Sequence, residues 1–243
     1  MSRMFRALER AESEARRTSD LRSSRITEAV PDLDLPELTG EYERLRVMLT
    51  LAANGPDLKT IMFTSALTGE GVSTVTLGFA CMAVQTVTQG VLVIDAHPAR
   101  PDLAARLGVV ANGGLAELLD KEITQADAIV RTPVQRLLFM GPGRKLVDLS
   151  RARARDHAEE LLADLRAAFD YVVVDGGALR DSSDTLLLAS RMDAVVLVVR
   201  AERTGIEAAQ TATVQLRRAG ANLVGTILNR RREYLPGFLA RRL

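Results

Sequence analysis

A glycine-containing segment carries the residues of this sequence whose types and spacing suit phosphate chemistry. It reads Ala-Leu-Thr-Gly-Glu-Gly-Val-Ser-Thr over residues 66–74, between a strand pattern and a helix pattern. Two glycines allow backbone N–H groups to close around phosphate oxygens, and the start of a helix adds a favourable partial charge. The segment predicts a phosphate-binding loop made of Gly69, Glu70, Gly71, Val72, Ser73 and Thr74, with the Ser73 hydroxyl as a Mg²⁺ ligand. On this segment alone, an ordinary strand–helix turn without a ligand remains the alternative.

Val72 occupies the position at which such a loop normally has lysine. The lysine places a point charge on the outer phosphates. A hydrogen bond to a charged group contributes about 1.5–3 kcal/mol, so its absence is expected to weaken nucleotide binding by about 10- to 150-fold. Phosphoryl transfer should suffer more, because that catalysis consists mostly of electrostatic positioning.

The elements that position this loop alternate between short β-branched runs and longer amphipathic segments. The predicted strands are Thr60–Thr64, Val91–Ala96, Leu137–Gly141, Tyr171–Gly176, Ala194–Arg200 and Leu223–Leu228. The predicted helices include Ser73–Gln89, Leu115–Asp120, Ala152–Phe169, Ser183–Arg191 and Gly205–Gly220. Strands that are apolar throughout are buried on both faces, and the helices between them supply crossovers. The pattern therefore predicts an α/β fold with a doubly wound, mostly parallel sheet.

Composition limits the classes of function. The 243 residues have a net charge of +1, no tryptophan and few aromatic residues, so nucleic-acid binding is not expected. Cys81 is the only cysteine and forms no disulfide within the chain, which is typical of a reducing cytoplasm. The N-terminus lacks the apolar segment of a signal peptide, and the apolar runs are too short to cross a bilayer. We expect a cytoplasmic protein, at most peripheral at the inner face of the cell membrane.

Changes in composition divide the chain into three predicted regions. Residues 1–40 hold an amphipathic helix and a polar linker, residues 41–230 form the α/β domain, and residues 231–243 form a basic tail. The helix is expected to dock on its own domain or on a partner through Met4, Phe5 and Leu8. The tail combines arginines with large apolar residues, but Pro236 and Gly237 interrupt any helix, so at most weak contact with an anionic membrane is expected. The alternative is that the tail packs on the domain or on a partner.

Two more segments end strands with acidic residues. Residues 91–102 read Val-Leu-Val-Ile-Asp-Ala-His-Pro-Ala-Arg-Pro-Asp, and residues 171–178 read Tyr-Val-Val-Val-Asp-Gly-Gly-Ala. Together with the loop, and with 183–189, 193–201 and 220–229 in the same order and spacing, they resemble the bacterial tyrosine kinases (BY-kinases) of capsule and exopolysaccharide systems. Those kinases are relatives of the ParA/MinD-type ATPases. The resemblance runs from Thr60 to Asn229, and the first 12 residues also resemble the N-terminal helix of that family.

The resemblance implies roles for particular residues. Asp95 matches the family's second acidic motif and Asp175 its Walker B aspartate, so Ser73, Asp95 and Asp175 would form a relict Mg²⁺ site. Arg100 matches an arginine of the acidic motif, and Asn229 matches the asparagine that approaches adenine. The alternative for both aspartates is that they are plain strand-terminal carboxylates.

The departures from the family concern kinase function. His97 replaces the second aspartate of the acidic motif, and the assembly motif E-x-x-R-x-x-R is out of register around Arg46, which puts ring formation in doubt. The tyrosine cluster that accepts phosphate in the family is replaced by Tyr234 alone. A zinc site at His97 is not expected, because His157, the other histidine, lies on a charged helix.

These observations predict a catalytically degenerate BY-kinase-like protein that acts as a scaffold or regulator of exopolysaccharide synthesis or export. Its implied partner is the cytoplasmic end of a membrane polysaccharide co-polymerase, and self-association is left open. No intact catalytic group is expected, since Asp95, His97 and Arg100 would be relics, and any binding of ATP or ADP with Mg²⁺ would be weak. One alternative is a weak ATPase or tyrosine kinase in which Arg100, Lys59 or Lys145 replaces the missing lysine. The other is a ParA/MinD-like positioning factor held to the membrane by its tail.

Overall fold

The structure is a computed structural model that describes residues 35–53, 58–145 and 152–231. Its strands are β1 (Thr60–Ser65), β2 (Val91–Asp95), β3 (Ile129–Arg131), β4 (Leu137–Met140), β5 (Tyr171–Ala178), β6 (Ala194–Arg200) and β7 (Leu223–Asn229). Its helices are α1 (Leu35–Ala52), α2 (Val72–Ala83), α3 (Leu103–Arg106), α4 (Leu115–Leu119), α5 (Gln125–Ala128), α6 (Ala152–Ala168), α7 (Asp184–Ala189) and α8 (Ile206–Arg218). The predicted N-terminal docking helix and the basic tail lie outside the described residues.

The strands form one sheet in the order β3-β4-β2-β5-β1-β6-β7. All neighbouring pairs are parallel except β3 and β4, so the predicted α/β fold with a mostly parallel sheet is confirmed. Every residue of β1 and β2 is buried, as expected for strands with helices on both faces. The carboxyl ends of β1, β2 and β5 lie side by side, which is where ligands bind in sheets of this kind.

Two apolar clusters flank the sheet. On one face, α1 and α2 pack over Phe63 and Val93 of the sheet, and Phe79 of α2 belongs to the same cluster. On the other face, α6, α7 and α8 cover Leu92, Val174 and Leu197. No helix among the described residues is long and apolar enough to cross a membrane.

Several predicted boundaries are wrong, and the structure gives the reasons. The helix predicted to reach Gln89 ends at Ala83, because the Asp170 carboxylate accepts the backbone N–H groups of Thr88, Gln89 and Gly90 and holds that segment as a loop. Helix α1 begins at Leu35, inside the segment predicted as a linker. The division of the chain into three regions stays a prediction.

The contact between α1 and α2 depends on Gly78. The Tyr42 ring is buried over this glycine, and a Cβ at Gly78 would lie 2.2 Å from the ring. Burial raises the pKa of the Tyr42 hydroxyl to about 12, so it stays neutral at physiological pH.

We expect Gly78→Ala to lower the free energy of unfolding by about 1–2 kcal/mol, because the added methyl group forces Tyr42 and α1 outward. Gly40→Ala on the same helix pair is the control, since nothing lies within 4 Å of its Cβ position. Urea denaturation of both variants measures the effect. A Gly78→Ala protein as stable as the parent would mean that α1 does not pack on α2 in this way.

Candidate phosphate-binding site

The predicted loop lies between the carboxyl end of β1 and the N-terminus of α2. Gly69 and Gly71 have φ angles of 85° and 96°, a region that side chains strongly disfavour. A Cβ at Gly71 would lie 2.1 Å from the side-chain nitrogen of Asn229, so only glycine fits there. The loop therefore has the backbone shape that the glycine spacing predicts, at the start of a 12-residue helix.

Glu70 holds this loop in place and is itself buried. Its carboxylate accepts the Leu67 N–H at 2.9 Å and the hydroxyl of Thr204, which lies between β6 and α8. Its carbonyl oxygen accepts the Asn229 amide Nδ2–H at 2.9 Å. Asn229, assigned to adenine contact from the sequence, lies against the loop backbone in this structure, and its contact with a base stays a prediction.

Val72 begins α2, and its side chain is buried in the apolar cluster that contains Phe63 and Phe79. Its position lines the floor of the cleft in front of the loop. No positive charge enters the site from this position. Ser73, the next residue, forms a side-chain hydrogen bond with Asp175.

The two aspartates predicted as metal ligands lie opposite one another on neighbouring strands β2 and β5. Burial, and then the charge of Asp175, raises the pKa of Asp95 to about 6, although backbone N–H groups of His97, Asp102 and Leu103 donate to its carboxylate. Burial also raises the pKa of Asp175, against hydrogen bonds from Ser73 and the Gly177 N–H. The site thus holds two buried carboxylates whose repulsion a cation would relieve.

The donor set suits Mg²⁺ more than a metal with an all-protein cage. No group of three or more His, Cys, Asp or Glu residues forms a metal cluster in the described part of the chain. Mg²⁺ usually takes one or two protein ligands and completes its shell with water and phosphate oxygens. Ser73 and Asp175 are in contact and fit that role, whereas backbone N–H groups already occupy both oxygens of Asp95. The assignment of these ligands stays a prediction.

The cleft in front of the loop has a volume of about 390 Å³, and its lining includes three arginines: Arg100, Arg106 and Arg230. Arg106 is the best positioned, because its guanidinium donates to the Thr74 hydroxyl at 3.0 Å and to Asp102 at 2.5 Å. Sequence reasoning named Arg100 and missed Arg106. The one available signal was the i, i+4 spacing from Asp102, which does not reveal that the side chain reaches the loop.

The two lysines considered as replacements for the missing loop lysine do not lie at the loop. Lys59 precedes β1, at the other end of that strand, and its ammonium donates to the Phe169 carbonyl at 3.3 Å. Lys145 pairs with Asp120 and Glu122, at 2.5 and 2.7 Å. Neither residue lines the cleft.

His97 is buried at the edge of the cleft, in the space beside Gly177. A Cβ at Gly177, whose φ is 61°, would lie 2.5 Å from the imidazole ring, so the ring fits because this residue is glycine. Its Nε2 lies 3.3 Å from Asp181, a contact that becomes an ion pair when the ring is protonated. Asp181 also accepts the Thr68 hydroxyl of the loop at 3.0 Å, so this carboxylate lies between the imidazole and the loop.

No family model matches the chain, but curated relatives do. It is 26% identical to the tyrosine-protein kinase YwqD of Bacillus subtilis over 78% of this chain and 79% of that protein. It is 25% identical to the putative tyrosine-protein kinase CapB of Staphylococcus aureus over 77% and 81% of the two chains. The succinoglycan biosynthesis transport protein ExoP of Rhizobium meliloti is 25% identical over 85% of this chain, but the match covers only 26% of that longer protein.

The solved structures that resemble this chain include kinase domains of the same kind. The VpsO kinase domain has a TM-score of 0.63 at 27% identity and covers 78% of this chain and 98% of its own. The kinase domain of the Escherichia coli tyrosine kinase ETK has a TM-score of 0.70 at 22% identity, covering 82% and 79%. MinD from Pyrococcus horikoshii, solved with Mg-ADP, has a TM-score of 0.54 at 24% identity, covering 76% of each chain. The chain is therefore a homologue of the bacterial tyrosine-protein kinases and has the P-loop NTPase-like α/β fold of their kinase domains.

Proposed function

We propose that the chain is a scaffold or regulator of bacterial exopolysaccharide synthesis or export, with a nucleotide site that binds weakly and turns over little or nothing. The observation that carries this proposal is Val72. It stands at the position of the phosphate-binding lysine, and its side chain is buried in the apolar core. Phosphoryl transfer depends on charge placed at the outer phosphates, and this position supplies none.

The other residues of the site support the proposal that a nucleotide binds there. Both loop glycines have the left-handed backbone that a phosphate cradle needs, and Ser73 and Asp175 are in contact. Three arginines line the cleft and offset part of the charge of a nucleotide. The proposed ligand is therefore ATP or ADP with Mg²⁺, held more weakly than by a site with lysine.

The tyrosines and helix α1, which contains the altered assembly motif, also favour a role other than autophosphorylation. Tyr42 is buried against α2, and Tyr171 is half-buried at the start of β5. Arg46, the arginine that the assembly motif retains, pairs with Glu43 of its own helix at 2.6 Å. Ring assembly through this helix is not part of the proposal.

A membrane polysaccharide co-polymerase is the proposed partner. The support is that the matched region makes up about a quarter of ExoP, whose name describes succinoglycan biosynthesis and transport. In that protein the homologous region is joined to a much longer chain.

The second candidate is a weak ATPase or tyrosine kinase of the same pathway. The observation that favours it is Arg106, a cation held between Asp102 and Thr74 at the mouth of the loop. Calorimetric titration with Mg-ATP and Mg-ADP, together with a sensitive phosphate-release assay, distinguishes the scaffold from the enzyme. A dissociation constant near about 1 μM with steady turnover would establish the enzyme and reject the scaffold.

The position of Arg106 in the cleft predicts its contribution to nucleotide affinity. We expect Arg106→Ala to weaken Mg-ATP binding about fivefold, because a partly exposed charge near phosphate contributes about 1 kcal/mol. Arg131→Ala, an exposed arginine of β3 that does not line the cleft, is the control and should leave the dissociation constant unchanged. Equal effects of the two variants would mean that Arg106 acts only through the net charge of the protein.

A further inference from the structure

An open apolar groove lies beside the last strand of the sheet. Its volume is about 610 Å³, and it is bounded by one face of β6 and β7 and by residues 206–214 of α8. Its apolar lining includes Leu197, Val199, Ile206, Val214 and Leu228. Leu197 pairs with Thr226, and Val199 with Leu228, so these side chains lie on one face of the two strands.

Three large apolar side chains of the groove are exposed. Ile206 is 77% exposed, Leu228 is 55% exposed and Val214 is 46% exposed. Strand β7 is the edge of the sheet and, unlike the fully buried β1 and β2, has its middle residues exposed. Apolar side chains grouped in one groove form a surface on which another apolar segment can pack.

The chain itself supplies a segment of the right composition at the right place. Strand β7 ends at Asn229, and 12 residues follow the last described residue, Arg231. Five of them are large aliphatic or aromatic residues: Tyr234, Leu235, Phe238, Leu239 and Leu243. A chain of this length reaches at most about 40 Å, which is ample for a groove that begins at Leu228.

We propose that residues 232–243 dock in the groove between α8 and β7, where Leu235, Phe238 and Leu239 cover Ile206, Val214 and Leu228. The covalent link to β7 favours this occupant over any separate chain, because a short tether gives an effective concentration in the millimolar range. The same apolar side chains are then withdrawn from a membrane surface. Docking of the tail thus opposes the membrane contact that its arginines would otherwise favour.

A cysteine pair tests the contact in the full chain. Val214→Cys with Leu239→Cys should form an intramolecular disulfide under mild oxidation, at a rate independent of protein concentration. Cys81 does not interfere, because it is buried and burial raises the pKa of its thiol to about 12. Leu51→Cys with Leu239→Cys is the control, since Leu51 is an equally apolar, exposed position on α1. Equal rates for the two pairs, or disulfide-linked dimers only, would overturn the proposal.

A second measurement tests the energetic role of the apolar tail residues. Replacing both Phe238 and Leu239 with serine should increase the fluorescence of an apolar dye severalfold and speed amide exchange in α8 and β7. Replacing Arg241 and Arg242 with serine should change neither signal. If the apolar variant leaves dye binding and exchange unchanged, the tail does not occupy the groove. Sedimentation of the parent protein with phosphatidylserine vesicles at physiological salt, abolished by both pairs of substitutions, would assign the tail to the membrane and reject the proposal.

Discussion

Replacing Val72 with lysine should strengthen Mg-ATP binding by about 10- to 150-fold, which corresponds to one hydrogen bond to a charged group. The backbone needed to use this lysine is already present. Gly69 and Gly71 have left-handed φ angles, and Ser73 contacts Asp175. The new ammonium group would extend from the first turn of α2 into a cleft that already contains three arginines.

Val72→Met is the matched control for this substitution. Methionine has a long unbranched side chain like lysine but no charge, so it reproduces the change in the apolar core without the phosphate contact. Isothermal titration with Mg-ATP should detect the gain in Val72→Lys and none in Val72→Met. No gain in either variant would show that the site has lost more than its lysine, and that the remaining loop no longer holds phosphate.

The fold was largely predictable because the apolar composition of the strands indicates that they are buried. The runs at 91–95 and 171–175 are apolar up to their final aspartate, and the structure buries almost all of their residues between two helical layers. Strand β3 was missed because it has only three residues, all at least partly exposed, and pairs antiparallel at the sheet edge. Helices α3 and α5 have four residues each, too short for a periodic pattern to appear.

The candidate site was only partly predictable, because contacts between distant segments leave no local signal. The loop residues follow from their spacing, and the two strand-end aspartates follow from the resemblance to the bacterial tyrosine kinases. The position of Arg106 does not, since its contact with Thr74 joins residues 32 apart. The fit of the His97 ring beside Gly177 likewise joins two residues that are 80 apart in the sequence.

The buried aspartates predict an unusual dependence of stability on pH. We expect the free energy of unfolding to fall as pH rises from about 5 to about 7, by about 1–2 kcal/mol from Asp95 alone. Its pKa is about 6 in the folded protein against an ordinary value of 3.8. Between these values the folded protein holds a proton that the unfolded chain has released, so folding weakens as the proton is lost. Asp175, whose pKa burial also raises, acts in the same direction.

Other carboxylates act at lower pH and do not reverse this trend. The pKa values of Glu43, Glu117 and Asp193 are lowered by hydrogen bonds that outweigh burial. These groups add stability as pH rises through the acid range, and that gain is largely complete by about pH 6. Comparison with a variant that removes one charge of the pair on β2 and β5 isolates the contribution of that pair.

Urea denaturation at about pH 5, 6 and 7, without added Mg²⁺, measures the slope. Asp175→Asn removes the charge that faces Asp95 while an amide oxygen can still accept the Gly177 N–H, so the slope should flatten. Asp164→Asn, at an exposed position on α6, is the control and should keep the parent's slope. A free energy of unfolding that rises steadily across the same range would mean that Asp95 is ionised well below about pH 6 and that the two carboxylates do not repel one another as their positions require.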